Sequence, residues 1–551
     1  MSLWYDSNLI LIQSTFISLV FALSIQIPVR WGVLTFGSLG CFAIGGYVAG
    51  ILTLRTELPQ ILILLVAVAC GGFTSLLLGL LCARLDGMYL AMASLAFDLI
   101  IGVIALNGGA LTGGVDGLYG VVADIDTATL AVLGLIALAI ALYTERGRTG
   151  RATSAVRDDP ELAVSQGIDV RRYRWTAFLV SGLLAGCAGV MYVRVNTTIT
   201  PDNIQFGALV VAMTMVIIGG WKSSFGTLAG AIIFTWLPSQ LGPFATWQTV
   251  IYSALVFLAA VLVPTGAAGV FVTLRGLLRS RRPTPDVEPV PARESAPEPH
   301  GVPPERTDGP LLEVSRLAVH YGGVKAVDDI SFTVDRGEIF GLLGPNGSGK
   351  STLLAALTRM VQPVAGEFRF DGIDCTHLTP HELGRRGVAR TFQAVRLLDD
   401  LRVIDNVMLG GDRAWSGHQR PTGADALGAL ERVGLAGTAL AFPGELSYGR
   451  QRRVEIARAI VGRPEVLLLD EPVAGMNRQE RTEIAALLRS LRDEGMTVVI
   501  VEHDVELMVA ICDRLLALNF GREITVGAPA QVVAHPAVIE AYLGRQAAVD
   551  A

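Results

Sequence analysis

The sequence predicts a polytopic α-helical membrane domain of about eight to ten spans, followed by an α/β domain built around a phosphate-binding loop. Of its 551 residues, 51% are hydrophobic and only 17% are charged, whereas about 25% of residues are charged in an ordinary soluble protein. The apolar surplus precedes a proline-rich stretch, and short strands alternating with helices follow that stretch. The predicted divisions are therefore a membrane domain at 1–280, a linker at 281–310 and an α/β domain at 311–551.

Apolar runs in the first half are long enough, or nearly so, to cross about 30 Å of hydrocarbon. Six of them are uninterrupted, at residues 9–29, 61–83, 88–106, 129–143, 175–193 and 247–264. Two further stretches, 31–54 and 206–241, are broken by Gly, Ser and Thr, and we predict additional, discontinuous spans there. The first run lacks a basic leader and a small-residue cleavage site, so we expect it to be retained as a span.

Basic residues predict the orientation of the membrane domain. The segment 144–174 carries seven arginines between two spans, and "RGLLRSRR" follows the last span. Both should face the cytoplasm, because cytoplasmic loops are enriched in Lys and Arg. Four spans between the two basic segments would satisfy this parity. The sequence thus predicts a multi-pass protein of the cell membrane whose second domain lies in the cytoplasm.

The linker and the composition limit what the chain can do. Nine prolines in thirty positions, with few large apolar residues, predict an extended tether that buries too little surface to fold. Six cysteines form no CxxC pair, and all seven histidines lie at or beyond His300, so we predict neither disulfides nor a histidine metal site within the membrane. The net charge of −6 argues against nucleic acid as a partner.

The second domain contains a phosphate-binding loop. "GPNGSGKST" at 344–352 follows the strand-like "EIFGLL". Its glycines let backbone N–H groups converge on phosphate oxygens, Lys350 supplies a positive charge for the β and γ phosphates, and the Ser351 hydroxyl can ligate Mg²⁺. Downstream, "EVLLLDEP" predicts a buried strand that ends in Asp470, which suits Mg²⁺, and Glu471, which could polarise an attacking water.

The segment "LSYGRQRRVEIARA", residues 446–459, resembles the signature motif of ATP-binding cassette (ABC) proteins, and it lies between the phosphate loop and the acidic strand as in that superfamily. The resemblance implies an ATPase of the ABC type with ATP and Mg²⁺ as cofactors. It further implies a D-loop at 474–477 and hydrolysis in a dimer, because the signature segment contacts ATP held by the opposite cassette. One departure is Arg450, where the family usually has Gln.

The superfamily pattern assigns roles residue by residue. The implied catalytic residues are Glu471, the Q-loop Gln393 in "RTFQ" and the switch His503 in "VEHD". The implied Mg²⁺ contacts are Ser351, Gln393 and Asp470. The implied ATP contacts are Tyr321, which would stack on adenine, Gly344, Asn346, Gly347, Gly349, Lys350, Ser351, Thr352, Ser447 and Gly449.

Outside the linker, almost the whole chain is similar to branched-chain amino acid (Liv-type) ABC importers. In the membrane half the similarity rests on "RLDGMYLAMASLAFDLI", "LTGGVDGL" and "AVRDDPELAVSQGIDVRRYR", and in the cassette on "RTFQAVRLL" and the terminal "AHPAVIEAYLG". The resemblance implies a permease fused to its ATPase. The implied partners are a second permease and a second ATPase, or another copy of this chain, together with an extracytoplasmic solute-binding protein and the lipid bilayer.

The resemblance makes leucine, isoleucine and valine the leading substrates, with urea, short amides or other amino acids as alternatives. Two other functions remain open. An exporter or lipid flippase would usually have six longer spans with extended cytoplasmic helices, which this glycine-rich pattern does not resemble. A signalling ATPase that senses a ligand would use the same nucleotide motifs, and accumulation of a substrate against its gradient would distinguish it.

Three membrane-domain features have both a functional and a structural interpretation. Residues 155–168 match the place of the permease's coupling helix and are expected beside Gln393, although a charged loop at the lipid headgroups would have a similar composition. Asp98 is an ionisable group in an apolar span, either on the substrate path or in a helix contact. The loop Thr112–Leu118 is expected outside, where a binding protein would dock, unless its glycines only form turns.

Overall fold

The computed structural model describes residues 2–122, 126–240, 309–412 and 420–543, with the isolated positions 250, 254 and 257. The chain forms two compact units. The first falls within Met1–Asp158 and Val170–Asp286, and the second within Asp159–Asp169 and Val287–Ala551. The predicted linker at 281–310, the basic "RGLLRSRR" and most of the run at 247–264 lie outside the described residues, so the predicted domain boundaries remain predictions.

The first unit is helical. Its helices are α1 Ser2–Arg30, α2 Ser38–Arg55, α3 Gln60–Leu81, α4 Gly87–Asn107, α5 Thr127–Glu145, α6 Gly147–Asp158, α8 Val170–Asn196, α9 Phe206–Gly219 and α10 Ser224–Gln240. A two-residue ribbon pairs β1 (Leu118–Tyr119) antiparallel with β2 (Thr198–Ile199). Helix α8 packs against α1, α2 and α3, and glycines in these helices allow the close approach that membrane helices favour. A Cβ on Gly45, for example, would collide with the backbone of Gly186.

Six described helices are long and apolar enough to cross a membrane, namely α1 to α5 and α8. The broken stretch 31–54 forms a single helix that begins at Ser38. The stretch 206–241 forms two shorter helices, α9 and α10, separated at Gly220, whose φ of 106° ends α9. The polytopic fold is thus confirmed, whereas the eight to ten spans correspond to six long helices and this interrupted pair in the described part of the chain.

A buried ion pair joins three helices of the first unit. Arg30, at the end of α1 and 5% exposed, donates to the Oε1 of Glu145 at 2.7 Å. The same oxygen accepts from the Ser224 backbone N–H at 2.5 Å and from its hydroxyl at 2.6 Å. Glu145 thereby compensates a buried guanidinium and also caps the N-terminus of α10, where a negative charge is favourable.

The second unit contains two sheets. Its strands are β3 Leu312–Tyr321, β4 Val324–Val334, β5 Ile339–Leu343, β6 Ala365–Phe370, β7 Ile373–Asp374, β8 Val388–Arg390, β9 Val466–Asp470, β10 Thr497–Val501, β11 Arg514–Asn519 and β12 Arg522–Gly527. One sheet has the order β4-β3-β6-β7 and is antiparallel. The other has the order β12-β11-β5-β10-β9-β8, with only β12 antiparallel.

Helices complete the second unit. They are α7 Pro160–Ser165, α11 Lys350–Leu357, α12 Pro380–Arg385, α13 Val403–Gly411, α14 Gly423–Arg432, α15 Tyr448–Ile460, α16 Arg478–Asp493, α17 Val505–Ile511, α18 Pro529–Val533 and α19 Pro536–Leu543. Strands β5, β9 and β10 are buried at every position, as expected for parallel strands covered on both faces. Helix α7 belongs to this unit although its sequence neighbours α6 and α8 belong to the first.

Candidate functional site: the nucleotide cassette

Four neighbouring parallel strands carry the chemistry-bearing segments. In the order β5-β10-β9-β8, their carboxyl ends lead to the phosphate loop, to His503, to Asp470 and Glu471, and to Gln393. Parallel strands present their carboxyl ends at the same edge of a sheet, which is where ligands bind in α/β domains. Segments separated by more than 150 residues in sequence are therefore brought to one edge.

The phosphate loop connects β5 to the N-terminus of α11. Gly347 and Gly349 have φ values of 80° and 100°, which a residue with a side chain rarely adopts. A Cβ on Gly349 would also collide with the carbonyl oxygen of Ala326. Glycine at this position thus lets the loop turn closely against β4 and leaves its N–H groups at a helix N-terminus, where anions bind.

Lys350 is 7% exposed and folded over the loop. Its Nζ donates to the carbonyl oxygens of Gly344 and Pro345 at 2.7 and 2.9 Å. Burial lowers the pKa of Lys350, while the carboxylates of Glu471 and Asp470 act in the opposite direction. The Lys350 Nζ also donates to the Ser348 hydroxyl at 3.4 Å. A bound phosphate would therefore meet a partly desolvated cation whose hydrogen-bond partners are neutral, at the first turn of α11.

Asp470 ends β9 and is 2% exposed. The Ser351 hydroxyl lies 3.5 Å from its Oδ1, and the Nη2 of Arg390 lies 3.6 Å from its Oδ2. Burial raises the pKa of the Asp470 carboxyl, and the Arg390 charge opposes that increase. One hydroxyl and one carboxylate oxygen thus converge, which is the hard-oxygen donor set that Mg²⁺ prefers.

Glu471 occupies an unusual backbone conformation, with a φ of 47°. The left-handed region costs a non-glycine residue roughly 1–2 kcal/mol, so neighbouring groups must hold it. Its N–H donates to the Val501 carbonyl at 2.9 Å. Its carbonyl accepts from the Nη2 of Arg452 at 2.9 Å, and the same nitrogen donates to the carbonyl of Asp470.

His503 and Gln393 are both exposed at the strand edge. The His503 side chain is 62% exposed, and its Nδ1 lies 3.6 Å from the fully buried Glu502 carboxylate. Glu502 accepts the backbone N–H groups of Val473 and His503 at 3.1 and 3.2 Å, and burial raises its pKa. Glu502 therefore ties the backbone after β9 to the backbone after β10, which leaves the histidine ring accessible.

Tyr321, Ser447 and Gly449, which the resemblance also implies, lie on other elements of the cassette. Tyr321 ends β3 and is 52% exposed, which leaves its ring accessible for stacking. Ser447 precedes α15 as its N-cap. Gly449, in the first turn, is buried, and a Cβ there would come within 2.8 Å of the Glu480 carboxylate. The signature segment thus contacts the start of α16 in its own chain, and its role toward ATP remains a prediction.

Three residues of this region were not singled out from the sequence. Arg390 and Arg452 contact residues at the carboxyl end of β9, and the Tyr542 hydroxyl in α19 accepts the Gly344 N–H at 2.9 Å. Tyr542 lies 198 residues from Gly344 in the sequence, so no local sequence pattern predicts the contact. For Arg390 and Arg452 the sequence offered a signal, because an arginine on a buried strand or helix face rarely lacks a partner. That signal indicates a buried contact without identifying the partner.

The membrane-domain candidates have partners in the first unit. The Oδ1 of Asp98 accepts the Gly40 N–H in the first turn of α2 at 2.8 Å, and the side chain is 4% exposed. The sequence allowed either a substrate-path role or a helix contact for Asp98, and the structure shows a helix contact. The Thr112 hydroxyl donates to the Ala105 carbonyl at 2.7 Å, and the glycines at 113, 114 and 117 all have positive φ. The loop forms turns, and docking of a binding protein there remains a prediction.

Comparison with known proteins identifies both halves of the chain. Residues 8–264 match the family described as branched-chain amino acid transport system / permease component. Residues 327–474 match the ABC transporter family, and residues 522–548 match the family described as branched-chain amino acid ATP-binding cassette transporter.

Two relatives carry the names high-affinity branched-chain amino acid transport ATP-binding protein BraF, of Pseudomonas aeruginosa, and LivG, of Escherichia coli K12. Each is 38% identical over 250 residues, covering 43% of this chain and 98% of the relative. A solved nucleotide-free ATP-binding cassette from an ABC transporter is 28% identical and covers 43% of this chain and all of that chain, with a TM-score of 0.40.

The fold and the site define a multi-pass membrane permease joined to an ATP-binding cassette, and the predicted class of transport ATPase is confirmed. The chain belongs to the branched-chain amino acid ABC transporter family, as the resemblance implied. Two components that the family descriptions give separately are present in one polypeptide, and the cassette binds ATP.

Proposed function

We propose that this chain is the fused permease and ATPase half of an importer that takes up leucine, isoleucine and valine. The observation that carries the proposal is the convergence of the phosphate loop, Gln393, Asp470, Glu471 and His503 at one sheet edge, in a chain whose other half matches a branched-chain amino acid permease. ATP hydrolysis at this edge powers transport, and the cassette operates in the cytoplasm.

At the nucleotide site, Lys350 and the N–H groups of the loop bind the phosphates of ATP. Ser351 and Asp470 would hold Mg²⁺, with Gln393 as a further contact, and the ion would supply positive charge against the charge that develops on the phosphate oxygens. Glu471 accepts a hydrogen bond from the attacking water and orients it toward the γ phosphorus. His503, whose ring is exposed, contacts the γ phosphate and thereby links hydrolysis to movement of the chain.

A complete transporter requires partners. The Ser447–Gly449 turn opens α15, and its N–H groups suit the γ phosphate of ATP bound to an opposite cassette. Two cassettes therefore close around two nucleotides, and the second comes from a separate ATPase subunit or from another copy of this chain. A second permease pairs with the membrane domain, and an extracytoplasmic binding protein delivers the amino acid.

The coupling segment is residues 159–168, the part of the predicted stretch 155–168 that lies in the second unit. The Nη1 of Arg396, three residues beyond Gln393, lies 3.1 Å from Asp159 and 2.7 Å from Glu161. Arg385 in α12 donates to the carbonyl of Gly167 at 2.9 Å. Movement of the Q-loop would therefore be transmitted directly to α7. Arg157 lies in the first unit, where it stacks over Trp221 at 5.0 Å.

The test is uptake of labelled leucine into cells that carry this locus, with competition by unlabelled isoleucine, valine, urea and acetamide. The native chain is compared with Glu471→Gln and with Glu506→Gln, a matched control at an exposed carboxylate in α17. We expect accumulation with the native chain and with Glu506→Gln, none with Glu471→Gln, and competition by isoleucine and valine.

The outcomes separate the alternatives. Competition by urea or amides would retain the importer mechanism and change the substrate. Accumulation that is equal for the native chain and Glu471→Gln would refute ATP-driven import of leucine by this chain. ATP hydrolysis that responds to a ligand without accumulation of that ligand would favour the signalling ATPase.

A further inference from the structure

Arg452 lies in the second turn of α15 and is 1% exposed, and its terminal nitrogens donate to protein oxygens. Its Nη2 donates to the backbone carbonyls of Asp470 and Glu471, the latter at 2.9 Å. Its Nη1 donates to the carbonyl of Phe392 and to the Oε2 of Glu455, the latter at 2.7 Å. The four N–H donors of the two terminal nitrogens thus meet four oxygens, a match that only a planar guanidinium can make.

The three carbonyls belong to the two segments that carry the chemistry. Phe392 immediately precedes Gln393, Asp470 ends β9 and Glu471 directly follows it. Strands β8 and β9 pair up to Arg390 and Leu468, and the chain then leaves β8 while β9 continues to Asp470. Arg452 bridges the two segments beyond the point where backbone pairing between them stops.

Glu455 compensates the charge of the buried guanidinium and orients it. Its side chain is fully buried, with Oε2 on Arg452 and with Oε1 3.1 Å from the Nη2 of Arg458. The same Oε1 accepts the Arg396 backbone N–H at 2.9 Å. A buried arginine without such a carboxylate would carry a large desolvation cost. Both carboxylate oxygens therefore have partners, and the side chains of this cluster cannot rotate independently.

We propose that Arg452, oriented by Glu455, is a positioning residue that holds Glu471 in its left-handed backbone conformation and fixes its distance from Gln393. The inference rests on the role of Glu471 in the proposed function. The carbonyls of Asp470 and Glu471 lie on either side of the φ torsion of Glu471. If Arg452 no longer bound them, the φ of 47° would relax toward an ordinary value. Arg452 therefore acts on hydrolysis through Glu471, without contacting ATP.

The variant Arg452→Lys tests this role, because lysine keeps the charge beside Glu455 but has one nitrogen in place of a fork. The full chain, purified with its partner subunits, is assayed for multiple-turnover ATP hydrolysis and for binding of ATP. We expect kcat to fall by about 10- to 100-fold, since misplacement of a catalytic group by about 1 Å has effects of that size. The Kd for ATP should stay within about twofold. The control Arg432→Lys, at a surface pair with Glu494, should leave both unchanged.

A double-mutant cycle separates positioning from general damage to the cassette. Single-turnover hydrolysis is measured for Arg452→Lys, Glu471→Gln and the combined variant. Because Arg452 acts through Glu471, the combined variant should hydrolyse ATP no more slowly than Glu471→Gln alone. If Arg452→Lys is not recovered from membranes, Glu455→Gln carries the same measurements, with the same non-additive result expected.

Two results would overturn the inference. One is a kcat of Arg452→Lys equal to that of the native chain while Glu471→Gln is inactive; this leaves the proposed function intact. The other is a loss in the combined variant equal to the product of the two single losses. A Glu471→Gln variant with native activity would instead refute the role of Glu471 in the proposed function, and the positioning role with it.

Discussion

Reversal of the charge at Arg396 should uncouple ATP hydrolysis from transport. In the second unit, this guanidinium faces the carboxylates of Asp159 and Glu161 at 3.1 and 2.7 Å, and its carbon lies 4.2 Å from the centre of the Phe392 ring. Stacking on the ring and the backbone bond to Glu455 hold Arg396 in place before it meets the carboxylates. The entropic cost of each ion pair is therefore lower than for a mobile surface pair.

The magnitude follows from exposure. The three side chains are 31%, 21% and 66% exposed, so solvent screens the pairs and each contributes about 0.5–1 kcal/mol. Loss of both weakens binding of α7 by about 1–2 kcal/mol, which is a factor of roughly 5–30. In Arg396→Glu, repulsion from Asp159 and Glu161 adds to that loss, so the upper end of the range is expected.

The assay is uptake by proteoliposomes that contain the complete transporter, with ATP hydrolysis measured in parallel. We expect Arg396→Glu to lower uptake per ATP hydrolysed at least fivefold and to leave hydrolysis without substrate within about twofold. Adding Asp159→Arg and Glu161→Arg in the same chain should restore most of the coupling. If Arg396→Glu transports as efficiently as the native chain, the contact seen here does not transmit movement. If the triple variant stays uncoupled although Arg396→Glu is impaired, charge complementarity is not the cause.

Three further outcomes are expected. Gly349→Ala should weaken ATP binding at least tenfold, because the φ of Gly349 is 100° and a Cβ there would collide with a carbonyl oxygen of β4. Gly347→Ala should lose less affinity for ATP, because the backbone is strained there but the space around a Cβ is open. Equal losses of affinity in the two variants would contradict this explanation. Burial lowers the pKa of Lys350 and a bound phosphate would raise it, so ATP binding takes up a proton only once the pH approaches the lowered pKa. Titration of the Kd should therefore show constant affinity at neutral pH and falling affinity as the pH rises toward the ordinary lysine range. A Kd that stays constant over that range would be inconsistent with a depressed pKa. Glu145→Gln removes the carboxylate that pairs with the buried Arg30 and should destabilise the detergent-solubilised chain by about 3–5 kcal/mol. The loss should be measured as a lower unfolding temperature. An unchanged unfolding temperature would show that the ion pair does not contribute to stability.

The sequence was most informative where local chemistry determines conformation. The loop 344–352 could be placed after a strand because its glycines suit positive φ and its lysine suits phosphate, and both features are present. The break within 206–241 was indicated by its Gly, Ser and Thr residues, and α9 ends at Gly219, followed by Gly220 as its C-cap. Parallel topology then brings the ends of β5, β8, β9 and β10 together without further information.

Contacts between distant segments could not be read in the same way. The position of Asp98 in an apolar span indicated only that a buried carboxylate needs a partner. The partner is the Gly40 N–H, and this contact depends on how α4 packs against α2. Likewise, the spacing of Arg452 and Glu455 predicts a pair on one helix face. It does not reveal that this face points inward, toward carbonyls of β9.

The side chain of Glu455 links the two inferences about the cassette. The Arg396 N–H donates to one of its oxygens at 2.9 Å and Arg452 donates to the other at 2.7 Å. Displacement of Arg396 by the proposed coupling segment would therefore shift the carboxylate that orients Arg452. Packed, fully bonded clusters shift between discrete arrangements more readily than they deform. Two perturbations of the cluster should therefore differ in effect: charge reversal at Arg396 changes the number of molecules transported per ATP, whereas Arg452→Lys changes the rate of hydrolysis itself. If Arg396→Glu and Arg452→Lys lowered the kcat of ATP hydrolysis equally, Arg396 would not be a separate coupling contact. If neither variant lowered this kcat, residues other than Arg452 would position Glu471.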